Sequence, residues 1–88
     1  MTIPITEEFR NVCREIVSRN LTIQEWCEIE SDDMFQTEHF EGGFEAIEEE
    51  FTFSYISENE YWFQLTLEEV SKIAVGENIL LEGRIAER

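Results

Sequence analysis

Eighty-eight residues suffice for one domain, and a content of 42% hydrophobic and 12% aromatic residues excludes a disordered acidic tail, which lacks core-forming side chains. The net charge of −15, from 21 acids against six lysines and arginines, disfavours direct binding to nucleic acid or to an anionic membrane and favours basic surfaces. No apolar run reaches the roughly 18 residues that span a bilayer, and the start Met1-Thr2-Ile3-Pro4-Ile5 has neither a basic leader nor an apolar signal region, so the expected location is cytoplasmic.

The first element read along the chain is a helix. Thr6 is placed as its N-cap, with Glu7 and Glu8 in the first turn, where the helix dipole favours negative charge. Phe9, Val12, Cys13, Ile16 and Val17 recur at helical spacing as one buried stripe, and Asn20 suits the stop. Thr22-Ile23-Gln24-Glu25 is a capping box with Leu21 and Trp26 as its hydrophobic staple, which starts a second helix over roughly 23–30 with Ile23, Trp26 and Cys27 inward. From Ser31 to Gly43 two readings stay open: a short capped turn carrying Met34 and Phe35, or a structured loop. Gly42-Gly43 is read as a breaker that ends whatever precedes it.

Residues 50–56 alternate, with Phe51, Phe53 and Tyr55 on one face and Thr52, Ser54 and Ile56 on the other. Tyr61, Phe63 and Leu65 alternate likewise with Trp62 and Gln64, and Ser57-Glu58-Asn59-Glu60 connects the two strands as a hairpin. Residues 44–49 either extend the first strand or follow a helical spacing through Phe44, Ile47 and Phe51. Thr66-Leu67-Glu68-Glu69 is another capping box, opening a short helix whose stripe is Leu67, Val70, Ile73 and Ala74 and which ends at Gly76. Residues 79–85 read as a third strand with Ile79, Leu81 and Ile85 inward. The expectation is an α+β domain over residues 1–88 in the order α-α-(loop)-β-β-α-β. Its small, mainly antiparallel sheet of three strands has the order 2-1-3 and packs with two to three helices. A right-handed crossover sets the third strand parallel to the second.

The charge is unevenly placed. Residues 20–71 contain no lysine or arginine and hold fifteen of the 21 acids, whereas each flank carries three acids and three cations. Glu25 and Glu69 have capping roles. Ten acids between Glu28 and Glu50 have no evident structural one: Glu28, Glu30, Asp32, Asp33, Glu38, Glu41, Glu45, Glu48, Glu49 and Glu50.

Residue types that carry chemistry are sparse. His39, between Glu38 and Glu41, has the makings of a metal ligand or a base near neutral pH, but no second histidine or cysteine pair completes a ligand set, so it is expected as a solvated loop residue. Asp32 and Asp33 with Glu28 and Glu30 lack the register of a calcium loop. Cys13 and Cys27 have no metal spacing and fall at apolar helix positions. No serine elbow, phosphate-cradling glycine motif or distinctive carboxylate pair stands out. No cofactor, metal or catalytic residue is therefore assigned, and the chain is read as not an enzyme.

Among the aromatic residues Phe40, Phe44, Tyr61 and Trp62, Trp62 is the best candidate for an interaction surface, because its strand face otherwise carries Gln64. The competing expectation is that a helix covers that face. The sequence thus suggests a binding protein that docks a carboxylate-rich face, made of those ten acids with Trp62, on a basic protein surface. An inhibitor, an immunity protein or a nucleic-acid mimic that meets a nuclease or nucleic-acid-binding protein fits this description. The alternative is a small acidic regulatory or accessory domain, compatible with a homodimer, whose charge serves solubility.

Overall fold

The computed structural model describes residues 1–29 and 34–85. Among them the order of elements is β1 (Thr2–Ile3), α1 (Glu7–Ser18), α2 (Ile23–Glu28), β2 (Phe35–Gln36), β3 (Phe40–Glu45), β4 (Glu50–Ile56), β5 (Glu60–Leu65), α3 (Leu67–Ala74), β6 (Leu81–Glu82) and β7 (Arg84–Ile85). The fold is α+β, with three helices, a five-stranded antiparallel sheet and a separate pair of short strands.

The helices start where side chains can satisfy the orphan amides of a first turn. The Thr6 hydroxyl accepts from the Phe9 amide, and Thr22 with Glu25 and Thr66 with Glu69 form complete capping boxes. Each such cap is worth about 1 kcal/mol. Asn20 and Gly76 take the left-handed conformation just past α1 and α3, which lets the chain turn away from each helix. The C-terminal end of α3 is closed from outside: Arg10 of α1 donates to the carbonyl oxygens of Ile73 at 2.9 Å and Glu77 at 3.0 Å. A cation there also complements the negative end of the α3 dipole. Val17 departs from the expected stripe, being 38% exposed while Phe9, Val12, Cys13 and Ile16 are buried.

The sheet has five strands in the order β2-β3-β4-β5-β7, so the expected three-stranded sheet of order 2-1-3 is corrected. β4 does pair antiparallel with both neighbours, but the second neighbour is β3. Once β3 occupies that edge, the C-terminal segment has no place beside β4. It pairs instead first with β1, through Leu81 and Glu82, and then antiparallel with β5, through Arg84 and Ile85. The switch happens at Gly83, where a Cβ would lie 2.7 Å from Ile3 and 3.0 Å from Tyr61. Ile85 is consequently 60% exposed on an edge strand and not inward as expected.

Gly42-Gly43 is not a breaker but the middle of β3. Phe40, Gly42 and Phe44 lie opposite Tyr55, Phe53 and Phe51, and all six positions share one face because strand side chains alternate. A Cβ on Gly42 would stand 2.1 Å from the Thr52 carbonyl oxygen and 2.7 Å from the Phe53 ring. Glycine here therefore lets Phe53 fold over the neighbouring strand. The connection from Glu45 to Glu50 is a tight turn with Glu49 at φ 56° and Ile47 fully displayed at its tip, so no helical spacing operates over residues 44–49. Phe35 is buried in β2, so a strand and not a helical turn carries it. The remainder of the Ser31 to Asp33 alternatives lies outside the described residues.

One core forms on a single side of the sheet. Phe9 of α1 packs against Phe40, Phe53 and Phe63 with ring centroids 4.8–5.5 Å apart, and Trp26 of α2 packs against Phe35, Phe44 and Phe51. Val70 and Ile73 of α3 complete it. Two aromatic anchors from two helices thus clamp the two ends of β3 and β4. Gly42→Ala tests this register directly. The new methyl must push β3 from β4, so overpacking on the order of 1–3 kcal/mol should outweigh the smaller gain of about 0.4–1 kcal/mol from restricting the unfolded chain. Urea unfolding should move to a lower midpoint with an unchanged slope; an unchanged or higher midpoint contradicts the close approach.

The open sheet face as candidate docking surface

The same alternation that turns the aromatics inward presents a second set of side chains on the opposite face. The pairing Gln36↔Glu41, Glu41↔Ser54, Ser54↔Trp62 and Trp62↔Arg84 lays one row across all five strands. Beside it runs Gly43-Thr52-Gln64, then Glu45 opposite Glu50, and on the other flank Ile56 opposite Glu60. None of these residues is buried. The three helices contribute their buried residues to the core on the other side, so among the described residues no helix covers this face. Trp62 is half-buried in the sheet, with the Arg84 guanidinium 5.6 Å from its ring centroid.

The electrostatics of this face follow from where the cations go. Arg10 is held at the end of α3, Arg14 donates to Glu7 at 2.6 Å, and Lys72 lies 3.7 Å from Glu68. The Arg19 guanidinium stands over the rings of Trp26 and Phe35, at 5.6 and 4.8 Å. These cations belong to the helical layer and its margins, and Arg84 belongs to the sheet edge. Glu41, Glu45, Glu50 and Glu60 have no ion-pair partner among the described residues. Glu45 and Glu50 face each other directly at the mouth of the turn, an arrangement that like charges disfavour. From that turn Glu48 reaches over the face and accepts from the Gln64 side-chain amide.

The sequence-derived acids divide by position. Glu41, Glu45 and Glu50 stand with Trp62 on the open face, and Glu48 and Glu49 form the turn that rims it. Glu28 ends α2, and Glu38 lies in the turn between β2 and β3, neither of them on the face. Glu30, Asp32 and Asp33 lie outside the described residues. Glu60 and the small floor residues Thr52 and Ser54 were not among the expected site residues. Their signal was present in the alternation of 50–56 and 60–65, which assigns them the same face as Trp62 once the hairpin register is known. The other aromatics turn inward: Phe40 is buried and Phe44 stacks on Trp26 with centroids 5.9 Å apart.

His39 is a turn residue, but Glu8 of α1 holds it. Glu8 Oε2 accepts from the His39 amide at 2.8 Å and from the Thr37 hydroxyl, while Oε1 lies 2.9 Å from His39 Nδ1. The Thr37 hydroxyl first, then the His39 ring and amide, hold the Glu8 carboxyl down to about 2. The Glu8 carboxylate in turn raises His39 above its ordinary value. This knot ties the β2–β3 turn to the first turn of α1 and so helps to set the sheet under the helices. Burial pushes the Cys13 thiol up to about 12, which keeps it protonated and packed as a small hydrophobe at neutral pH.

The pair has a defined pH window. A raised histidine stabilises the fold fully below its unfolded value of 6.5 and loses that contribution as pH climbs through its higher folded value. A depressed carboxylate contributes above its unfolded value of 4.5 and loses it as pH falls toward about 2. The stability difference between the native chain and His39→Ala should therefore be largest between pH 4.5 and 6.5 and narrow on both sides. In NMR titration His39 should titrate above 6.5, and its midpoint should fall in Glu8→Gln. A difference independent of pH contradicts the pairing.

No family model, no curated protein and no solved structure matches this chain.

Proposed function

We propose that the chain is a non-enzymatic binding protein that docks the open face of its five-stranded sheet on a basic protein surface. The observation that carries this reading is the uncovered face itself, where Glu41, Glu45, Glu50 and Glu60 share the side of Trp62 and have no ion-pair partners among the described residues. Arg84, over Trp62, is the one lysine or arginine among the described residues on this face. Carboxylates without ion-pair partners gain most from a partner that brings cations, and complementary charge raises the association rate more than the final affinity. Trp62 gives the face an aromatic near its centre, the residue type that most often anchors an interface. Among the described residues no charged side chain is buried, so the carboxylates of this face are open to a partner.

DNA presents about one negative charge per 1.7 Å of axis, so a protein that normally grips nucleic acid is one natural class of partner. The acids of this face are spaced by strand geometry: alternate residues along a strand are about 6–7 Å apart and neighbouring strands about 4.8 Å apart. An inhibitory or immunity role follows if docking blocks such a partner's nucleic-acid surface. The expected setting is cytoplasmic. Among the described residues no helix is long and apolar enough to cross a membrane.

The test is retention of basic proteins on the immobilised chain at low salt, eluted with a salt gradient. Glu41→Gln/Glu45→Gln/Glu50→Gln should abolish retention. Glu15→Gln/Glu58→Gln/Glu77→Gln, which removes equal charge elsewhere, should leave most of it. Equal losses in the two variants would mean that net charge alone matters, and would favour an accessory domain whose charge serves solubility. A homodimer through this face sets carboxylates of one copy against those of the other, so salt should promote such a dimer and weaken a basic complex.

A further inference from the structure

The open face is not flat. Over β3 and β4 beside the turn that joins them, with Ile29 and Met34 at its margin, it sinks into a depression of ≈ 450 Å³. The floor is low because Gly43 has no side chain and Thr52 and Ser54 have short ones, all three lining the depression. Met34 and Ile47 form apolar walls, and they are 61% and 97% exposed. Both are the kind of large exposed side chain that a soluble surface gains by covering. Glu41 and Glu45 line the same depression, each two residues from Gly43 along the strand and hence about 6–7 Å away. Glu50 stands across from Glu45.

This combination is selective among cations. A lysine ammonium is a compact, strongly hydrated point charge, better served by open solvent than by apolar walls. An arginine has an apolar stem that packs on such walls, and a planar, weakly hydrated guanidinium that meets carboxylates with two parallel hydrogen bonds. An anionic ligand is repelled by the carboxylates at the rim, and a neutral donor gains a hydrogen bond there without the charge attraction a cation gains. Among its described residues a second copy of this chain is a poor source of the group. Residues 20–71 contain no arginine, and Arg10, Arg14, Arg19 and Arg84 are each held against other groups of their own fold, while Arg88 lies outside the described residues.

We infer that the depression over Gly43 receives an arginine side chain of a basic protein partner, its stem on Met34 and Ile47 and its guanidinium on Glu41 and Glu45. The inference rests on the reading of this face as a docking surface and adds the side chain that the surface selects. Binding also offsets part of the repulsion between Glu45 and Glu50, because the arriving charge lies beside Glu45.

The experiment compares a fluorescein-labelled oligoarginine peptide with an oligolysine peptide of equal length by fluorescence anisotropy, at low salt and at about 0.15 M. The native chain should bind oligoarginine at least about fivefold more tightly. Ser54→Leu and Thr52→Leu, separately, fill the depression without changing charge. Each should bring the preference close to unity by weakening oligoarginine alone. Near-ultraviolet circular dichroism verifies the fold of each variant, and either one suffices if the other is unfolded. Equal affinity for the two peptides, or a preference that survives filling, overturns the arginine inference and leaves the docking face standing. Failure of both peptides to bind even at low salt overturns the docking face and the inference with it.

Discussion

The contact between Gly42 and the backbone of β4 sets the register from which both faces of the molecule follow. Strand side chains alternate with a period of two, so a slip by one residue exchanges the faces completely. With Gly42 opposite Phe53, Phe40 and Phe44 point into the core while Glu41 and Glu45 point out. A side chain at Gly42 meets a carbonyl oxygen at 2.1 Å, so the close approach of the two strands depends on glycine. Phe9 and Trp26 then lock the register from above by packing on the aromatics it delivers. The acidic face is thus a by-product of core formation, obtained without burying a charge among the described residues.

The charge distribution has the same logic. A fold with 21 acids and six lysines and arginines cannot neutralise itself locally, and its cations are placed where they hold structure. Arg10 closes the end of α3, Arg19 covers the Trp26 and Phe35 rings, and Arg84 lies over Trp62. Glu8 is the acid with the most structural employment, accepting from Thr37 and His39. Exposed pairs such as Glu7 with Arg14 or Glu68 with Lys72 contribute little. What remains is a sheet face whose carboxylates lack counterions from the described chain, which is the physical ground for expecting a basic partner.

Much of the fold is legible in the sequence. The caps at Thr6, Thr22 and Thr66 and the stops at Asn20 and Gly76 are local signals, carried by residues whose chemistry satisfies helix ends. The hairpin of β4 and β5 is equally local, because Phe51, Phe53, Phe63 and Leu65 alternate cleanly. β3 was hidden by its glycines, which are depleted in strands and signal turns, although Phe40 and Phe44 carry the period of two across them. β1 and β6 span two residues each, too short for any periodicity, and exist only through their mutual pairing. The division of residues 81–85 between two partners depends on Gly83 fitting against Ile3 and Tyr61, a contact between distant segments. For the candidate site, Glu41, Glu45, Glu50 and Trp62 were visible as residue types. Their gathering on one face required the β3–β4 register, and Glu60 entered only through its place opposite Ile56. The partner of His39 was illegible for a similar reason, since Glu8 lies 31 residues away.

Interstrand nuclear Overhauser effects in the isotopically labelled protein test the register most directly. Contacts linking Gly42 with Phe53, Phe44 with Phe51 and Glu45 with Glu50 are predicted, as is a Trp62 indole that meets no helix residue. Contacts shifted by one residue, with Gly43 opposite Phe53, would turn Phe40 and Phe44 to solvent and the glutamates into the core. That result would contradict the sorting of acids and aromatics onto opposite faces.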